Sequence, residues 1–144
     1  MGLADIIDKV IDIVNNDTTL QGVYYGDQLS FSAYPVACVG CGEGYMLDEK
    51  FPVIAQQTVR DEKYTIGIVI MVKYADTLAN AKSIITITDT MRDAIRADMK
   101  PPLQPLGGYC YQGEIKTSKY YFGAHGEIPI RISVTIIEYL KRIS

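Results

Sequence analysis

Two cysteines, Cys38 and Cys41, are three positions apart and form the sharpest chemical motif in the sequence. Thiolates at this spacing can hold one metal ion or form a redox-active disulfide. A closed zinc site needs four ligands, and the other candidates, Cys110 and His125, are remote along the chain. Cys38 lies in an apolar run and Cys110 stands between two tyrosines, which favours buried thiols that act as small hydrophobic side chains. We therefore expect no metal and no cofactor, and a zinc- or thiol-binding module built on the Cys38/Cys41 pair is the alternative from a different class.

Residues that could catalyse a reaction are sparse. His125 is the only histidine, so a nucleophile–base arrangement with a histidine would have to include it. No Gly-x-Ser-x-Gly motif accompanies it, and the glycines around it predict a solvated turn. The acidic pairs Asp48-Glu49 and Asp61-Glu62 fall in predicted turns, where carboxylates commonly serve solubility. No dinucleotide-binding or Walker fingerprint occurs. We predict that the protein is not an enzyme and has no catalytic residues.

The composition indicates one folded domain over residues 1–144. The chain is 48% hydrophobic and 22% charged, which is too apolar for an intrinsically disordered protein. Its formal net charge of −3 gives no overall attraction to nucleic acid phosphates or anionic lipid. The longest nearly unbroken apolar run, residues 66–72, is far shorter than the ~20 residues that span a bilayer. We expect no membrane segment and no direct nucleic acid recognition.

Two amphipathic helices are predicted. Apolar residues at three- and four-residue spacing predict a helix over 3–14 with an acidic outer face. A second helix is predicted over 78–98, with Asp76 or Thr77 as its cap. The predicted buried side of this second helix contains Leu78, Ala81, Ile85, Thr88, Met91 and Ile95.

Alternating patterns predict the strands. Residues 64–74 alternate at period two with an apolar middle on both faces, which predicts a central strand covered on both sides. The last two strands, over 109–119 and 128–140, should pair antiparallel. With the helices, this order predicts a single α+β domain: a mainly antiparallel, twisted sheet with two principal helices packed on one face.

Exposed aromatic residues are the best candidates for a protein contact. Tyr120, Tyr121 and Phe122 are consecutive in residues 120–127, which are predicted to form a glycine-containing tip between the last two strands. Tyr45 lies in a predicted loop that also contains Gly40, Gly42 and Gly44. Tyrosine offers a large amphipathic contact area at low entropic cost, and three adjacent aromatics exceed what a monomer needs to expose. These four side chains are the predicted interface residues.

The order of elements resembles that of the tail terminator (tail completion) proteins of long-tailed bacteriophages. The resemblance lies in the acidic-faced opening helix 3–14, the strand 64–74 that continues through Ala75-Asp76 into the helix 78–98, and the tyrosine-rich closing hairpin that ends in residues 130–140. It covers most of the chain. The glycine segment and the cysteine pair are no part of it.

The resemblance implies a structural virion protein that catalyses no reaction. Its subunits would assemble as a ring, typically a hexamer, that caps the finished tail tube and presents a new surface to the head connector. The implied partners are further copies of the chain, the tail tube protein and the head–tail connector protein. The implied location is the tail or neck of the virion, after assembly in the cytoplasm of the bacterial host. Another neck component, such as a head–tail stopper, is the alternative within the same class.

Overall fold

Two helices and six strands make up the part of the chain that the computed structural model describes, residues 2–17, 19–26, 31–41, 55–57, 61–100 and 104–142. A short 3-10 turn, Pro105–Gly108, follows the second helix. The elements in chain order are α1 (Leu3–Val14), β1 (Gly22–Tyr25), β2 (Val36–Cys41), β3 (Ala55–Gln57), β4 (Asp61–Lys73), α2 (Leu78–Met99), β5 (Gln112–His125) and β6 (Ile128–Arg142).

The strands form one sheet in the order β1-β2-β4-β6-β5, and β3 pairs with β4 beside this path. Only β1 and β2 run parallel among these pairs; the others are antiparallel. The predicted central strand and the predicted antiparallel closing pair are therefore confirmed, as is the α+β class. The predicted turn at Asp61-Glu62 is wrong, because β4 already begins at Asp61. There the ladder places these two acidic positions opposite Arg142 and Lys141, and cross-strand pairing outweighs their turn propensity.

Both helices pack on the same face of the sheet, as predicted. The bounds of α1 agree with the prediction, and α1 lies over β1 and β2. Helix α2 lies over β4, β6 and β5 and also contacts α1. The central part of this helix-covered layer consists of buried side chains from both helices and from alternate positions of the strands: Ile6, Ile7, Val10, Val14, Ala37, Val39, Tyr64, Ile66, Ile68, Ile70, Ile87, Met91, Ile95, Ile137 and Tyr139.

A second buried cluster occupies the opposite face of the sheet. The intervening strand positions supply it, since successive side chains point to opposite faces. Both faces of β4 are therefore covered, as its double apolar pattern predicts. The buried members of this cluster are Phe31, Val36, Cys38, Val69, Met71, Ile130, Ile132, Val134 and Ile136.

The predicted buried side of α2 is partly wrong. Thr77 is the N-cap, because its Oγ1 accepts a hydrogen bond from the Asn80 N–H at 3.1 Å. Leu78 and Ile85, however, are 71% and 49% exposed, whereas Ile84 is buried. Neighbouring helix positions differ by about 100° in direction, and the consecutive isoleucines at 84 and 85 leave the sequence undecided between two stripes. Packing on the hairpin selects the stripe formed by Ile84, Ile87, Thr88, Met91 and Ile95.

The predicted aromatic tip is also wrong. Strand β5 continues to His125, and only Gly126 and Glu127 connect it to β6, with Gly126 at a φ of 63°. Residues 120–122 therefore lie within an extended strand that pairs with β6. His125, predicted as a solvated turn residue, is 5% exposed, and its ring centroid lies 4.7 Å from that of Phe31. The long ladder with β6 outweighs the local turn signal of the glycines.

Candidate interaction surface

Arg131 of β6 packs against two aromatic rings near the start of α2. Its guanidinium carbon is 4.8 Å from the ring centroid of Tyr74 and 5.1 Å from that of Phe122. The two rings meet edge to face, with centroids 5.8 Å apart. Aromatic faces attract cations, so the two rings favour one position of the guanidinium. These three side chains are called the arginine clamp below.

The side chain of Asn80 holds the clamp in place. Its Oδ1 accepts hydrogen bonds from Arg131 Nε at 2.6 Å and from the Ala75 N–H at 2.9 Å. Its Nδ2 donates to the Lys73 carbonyl at 2.8 Å. One amide in the first turn of α2 thus joins the end of β4 to the arginine of β6. The clamp is consequently positioned by three separate elements of the fold.

Exposed apolar side chains surround the clamp. Phe122 is 71% exposed and Tyr120 is 45% exposed, and both lie on the α2 side of β5. Leu78 and Ile85 are seven residues apart and therefore lie on one stripe of α2. Between this stripe and β5 is a groove of about 270 Å³, whose lining includes Ala81, Ile85, Tyr120, Phe122 and Arg131. The exposed residues Tyr74, Leu78, Ile85, Tyr120 and Phe122 are called the apolar patch below.

The structure brings together only two of the predicted interface residues. Tyr120 and Phe122 share the α2 side of β5, whereas Tyr121 pairs with Ile132 and so belongs to the opposite face. Tyr45 lies outside the described residues. Arg131 and Tyr74 are not among the predicted interface residues, because only the strand register places them beside Phe122. In the sequence, Arg131 is only a polar position in an alternating strand. Tyr74 is only the last residue of a predicted strand, just before the connection to a helix.

The groove on the opposite face includes a lysine that is paired with two carboxylates. It measures about 300 Å³ and is lined by Tyr121 and by lysines of β5, among others. Lys116 Nζ lies 3.2 Å from Glu114 Oε2 and 3.3 Å from Glu138 Oε1. The hydrogen bonds that Lys116 donates to these two carboxylates raise the pKa of Lys116. Arg131 differs, since no carboxylate of the described residues lies within 4 Å of its guanidinium.

Buried hydroxyl groups attach α2 to the hairpin beneath the patch. Thr88 Oγ1 lies 2.7 Å from Ser133 Oγ. One turn along the helix, Arg92 Nη1 donates to Ser118 Oγ at 2.6 Å, and Ser118 Oγ lies 2.8 Å from Thr135 Oγ1. Ser133 and Thr135 have no exposed surface. These directional contacts determine how α2 sits on β5 and β6, and hence where the apolar patch forms.

The two thiols that the structure describes, those of Cys38 and Cys110, show no features of a reactive or metal-binding site. Cys38 and Cys110 are each 1% exposed, and burial raises the pKa of Cys110 to about 11. In the ladder, the backbone of Cys38 is opposite Val69 and that of Cys41 is opposite Ile66. No group of three or more His, Cys, Asp or Glu residues that could hold a metal occurs within the described ranges. The Cys38/Cys41 module therefore gains no support.

No protein-family model matches the sequence, and no curated protein shows significant similarity to it. Neither α1 nor α2, the two helices of the described part, has the length and hydropathy of a bilayer-spanning segment. The surface described above is suited to binding another macromolecule through a fixed cation within an apolar area.

Proposed function

We propose that the protein is a structural virion subunit that assembles as a closed ring, typically a hexamer, and terminates the tail tube of a long-tailed phage. The observation that carries this proposal is the apolar patch around the arginine clamp. Contiguous exposed apolar surface of this kind marks an interaction site, because exposing it to water costs free energy that binding a partner recovers. The resemblance in element order supplies the identity of the assembly.

The two edges of the sheet support assembly as a ring. One edge is β5, a strand of 14 residues, and the other is β1, a strand of four residues that runs parallel to its neighbour. Because the edges are unlike, a contact between them joins different surfaces of two subunits. Such heterologous contacts close into rings when the rotation between subunits divides a full turn.

The proposed partners follow from this geometry. Copies of the chain would contact one another around the ring, while its two faces would bind the tail tube protein and the head–tail connector protein. A ring with unlike faces prevents further tube subunits from adding, which is how a terminator would set the end of the tube. The proposed location is the tail or neck of the virion, after assembly in the bacterial cytoplasm. The proposal includes no catalytic step and no cofactor.

Electron microscopy of the purified protein, combined with light scattering during size exclusion, tests this proposal. We expect closed rings for the wild-type chain. Replacing Tyr120, Tyr121 and Phe122 together with Ser should shift the particle toward monomer without changing the circular dichroism spectrum. Comparing Tyr120→Ser/Phe122→Ser with Tyr121→Ser then separates the two faces of β5, and the first variant should account for most of the loss. Wild-type protein that stays monomeric at high concentration would refute the ring.

A further inference from the structure

The arginine clamp has unused hydrogen-bonding capacity. A guanidinium carries five N–H donors. Arg131 Nε is bound to Asn80 at 2.6 Å, and Nη2 reaches only the Ala75 carbonyl at 3.5 Å, which is a long contact. The rings of Tyr74 and Phe122 both lie against the cation and keep it in place. A fixed guanidinium with free donors is suited to a carboxylate, which it can bind through two parallel hydrogen bonds.

Helix α1 has carboxylates of the required kind. Asp8 and Asp12 are exposed and four residues apart, so they are neighbours on one side of the helix. Neither forms a hydrogen bond or an ion pair with another residue of the described chain. Two like charges at this spacing repel each other weakly, and a cation between them would relieve that repulsion. The buried side of α1 is formed by Ile6, Ile7, Val10 and Val14.

The two surfaces lie toward opposite edges of the sheet. Helix α1 covers β1 and β2, whereas Phe122 of the clamp belongs to the edge strand β5 and Arg131 to its neighbour β6. Within one subunit they are not paired, because no described carboxylate lies within 4 Å of Arg131. Between two copies in the same orientation, the β5 edge of one faces the β1 edge of the next. That is the arrangement a head-to-tail contact requires.

We propose that the arginine clamp of one copy binds the Asp8/Asp12 side of α1 in the next copy. The carboxylates would accept hydrogen bonds from the Arg131 guanidinium. The apolar patch would cover the aliphatic surface of α1 beside these carboxylates. This inference rests on the proposed ring and adds to it the residues that join its subunits. The charge pair sets the register of the contact, and the apolar patch supplies most of the buried area.

Charge reversal tests the contact. Arg131→Glu and Asp8→Lys/Asp12→Lys should each weaken self-association by roughly tenfold or more, because each places like charges opposite one another. The triple variant that carries all three changes in one chain should recover assembly. Lys119→Glu is the matched control, since Lys119 is exposed on the opposite face of β5 and its reversal should leave assembly unchanged.

Neutral variants provide a second test. Arg131→Ala removes the arginine of the clamp and leaves the Asp8/Asp12 side of α1 intact. Asp8→Ala/Asp12→Ala removes those carboxylates and leaves the clamp intact. Each should be monomeric alone, and their mixture should form a 1:1 heterodimer that cannot grow into a ring. Because the aspartates are exposed, their replacement tests the contact even if changes at Arg131 reduce stability. Thermal melts by circular dichroism check folding of every variant.

The outcomes separate the two proposals. Wild-type rings that persist in both charge-reversed variants would overturn the clamp contact and leave the ring standing. Wild-type protein that is monomeric at all concentrations would overturn both. An open or dimeric assembly that charge reversal dissolves and the triple variant restores would support the clamp contact and overturn the ring.

Discussion

The hydroxyl pair between α2 and β6 allows a quantitative prediction. Thr88→Val keeps the shape of the side chain and removes its hydroxyl. Thr88 and Ser133 have no exposed surface, and their oxygens are 2.7 Å apart. The variant would therefore leave the Ser133 hydroxyl buried without a partner. Such a group costs about 1–3 kcal/mol, which is more than the net contribution of an average hydrogen bond.

The double variant isolates this effect. Thr88→Val/Ser133→Ala removes both polar groups, so no buried hydroxyl is left unpaired. Its loss of unfolding free energy should be smaller than the sum of the two single losses by about 1 kcal/mol or more. For a chain of this size, about 3 °C of melting temperature corresponds to 1 kcal/mol, so Thr88→Val alone should lower it by about 3 to 9 °C.

Urea unfolding followed by circular dichroism measures these free energies. All variants are compared at one protein concentration, because self-association stabilises the folded state by mass action. Thr90→Val is the matched control: Thr90 also donates to a helix carbonyl, that of Thr86, at 3.0 Å, but it is exposed. The reasoning would be refuted if Thr88→Val cost no more than Thr90→Val, or if the two single effects simply added.

Two further predictions concern the titration of the buried Cys110 and Tyr64 side chains and the chemical reactivity of the buried thiols. Burial raises the pKa of Cys110 to about 11, and burial together with the hydrogen bond to Glu62 raises the pKa of Tyr64 to about 12. The folded state thus keeps these protons more tightly than the unfolded state, so their stabilising contribution is full below about pH 9 and is lost as the pH rises toward 12. The urea midpoint should fall over that range, and a constant midpoint from pH 8 to 11 would contradict this. In a Cys41→Ser background, Cys38 and Cys110 should react with an aromatic disulfide reagent only on unfolding, and rapid labelling of native protein at pH 8 would count against their burial.

Periodicity was informative where an element packs against a single layer. The bounds of α1 follow from its apolar spacing, because one side of this helix meets the sheet and the other meets solvent. The central position of β4 follows from its apolar alternation on both faces. The same rule was insufficient for α2, where adjacent isoleucines at 84 and 85 support two different stripes. Which stripe is buried depends on how α2 packs on the strands beneath it and on α1, and these contacts are distant in sequence.

The candidate surface depended on contacts between residues far apart in the chain. The sequence identifies Tyr120 and Phe122 as candidates for exposure, but it places them on a tip together with Tyr121. The ladder between β5 and β6 separates Tyr121 from them by alternation and brings Arg131 beside Phe122. Local turn signals at the glycines could not reveal this, since the two strands pair all the way from Gln112 and Leu140 to His125 and Ile128, next to the Gly126 turn.

The amino-acid sequence by itself determined the class of fold, the order of its main elements, the length of α1 and the presence of more apolar surface than one subunit buries. Those properties arise from local periodicity and composition, which act along the chain. Tertiary structure alone decided which side of α2 is buried, which aromatics share a face and that Arg131 lies beside Tyr74 and Phe122. These properties arise from strand register and helix orientation, and both are set by contacts between residues that are distant in sequence.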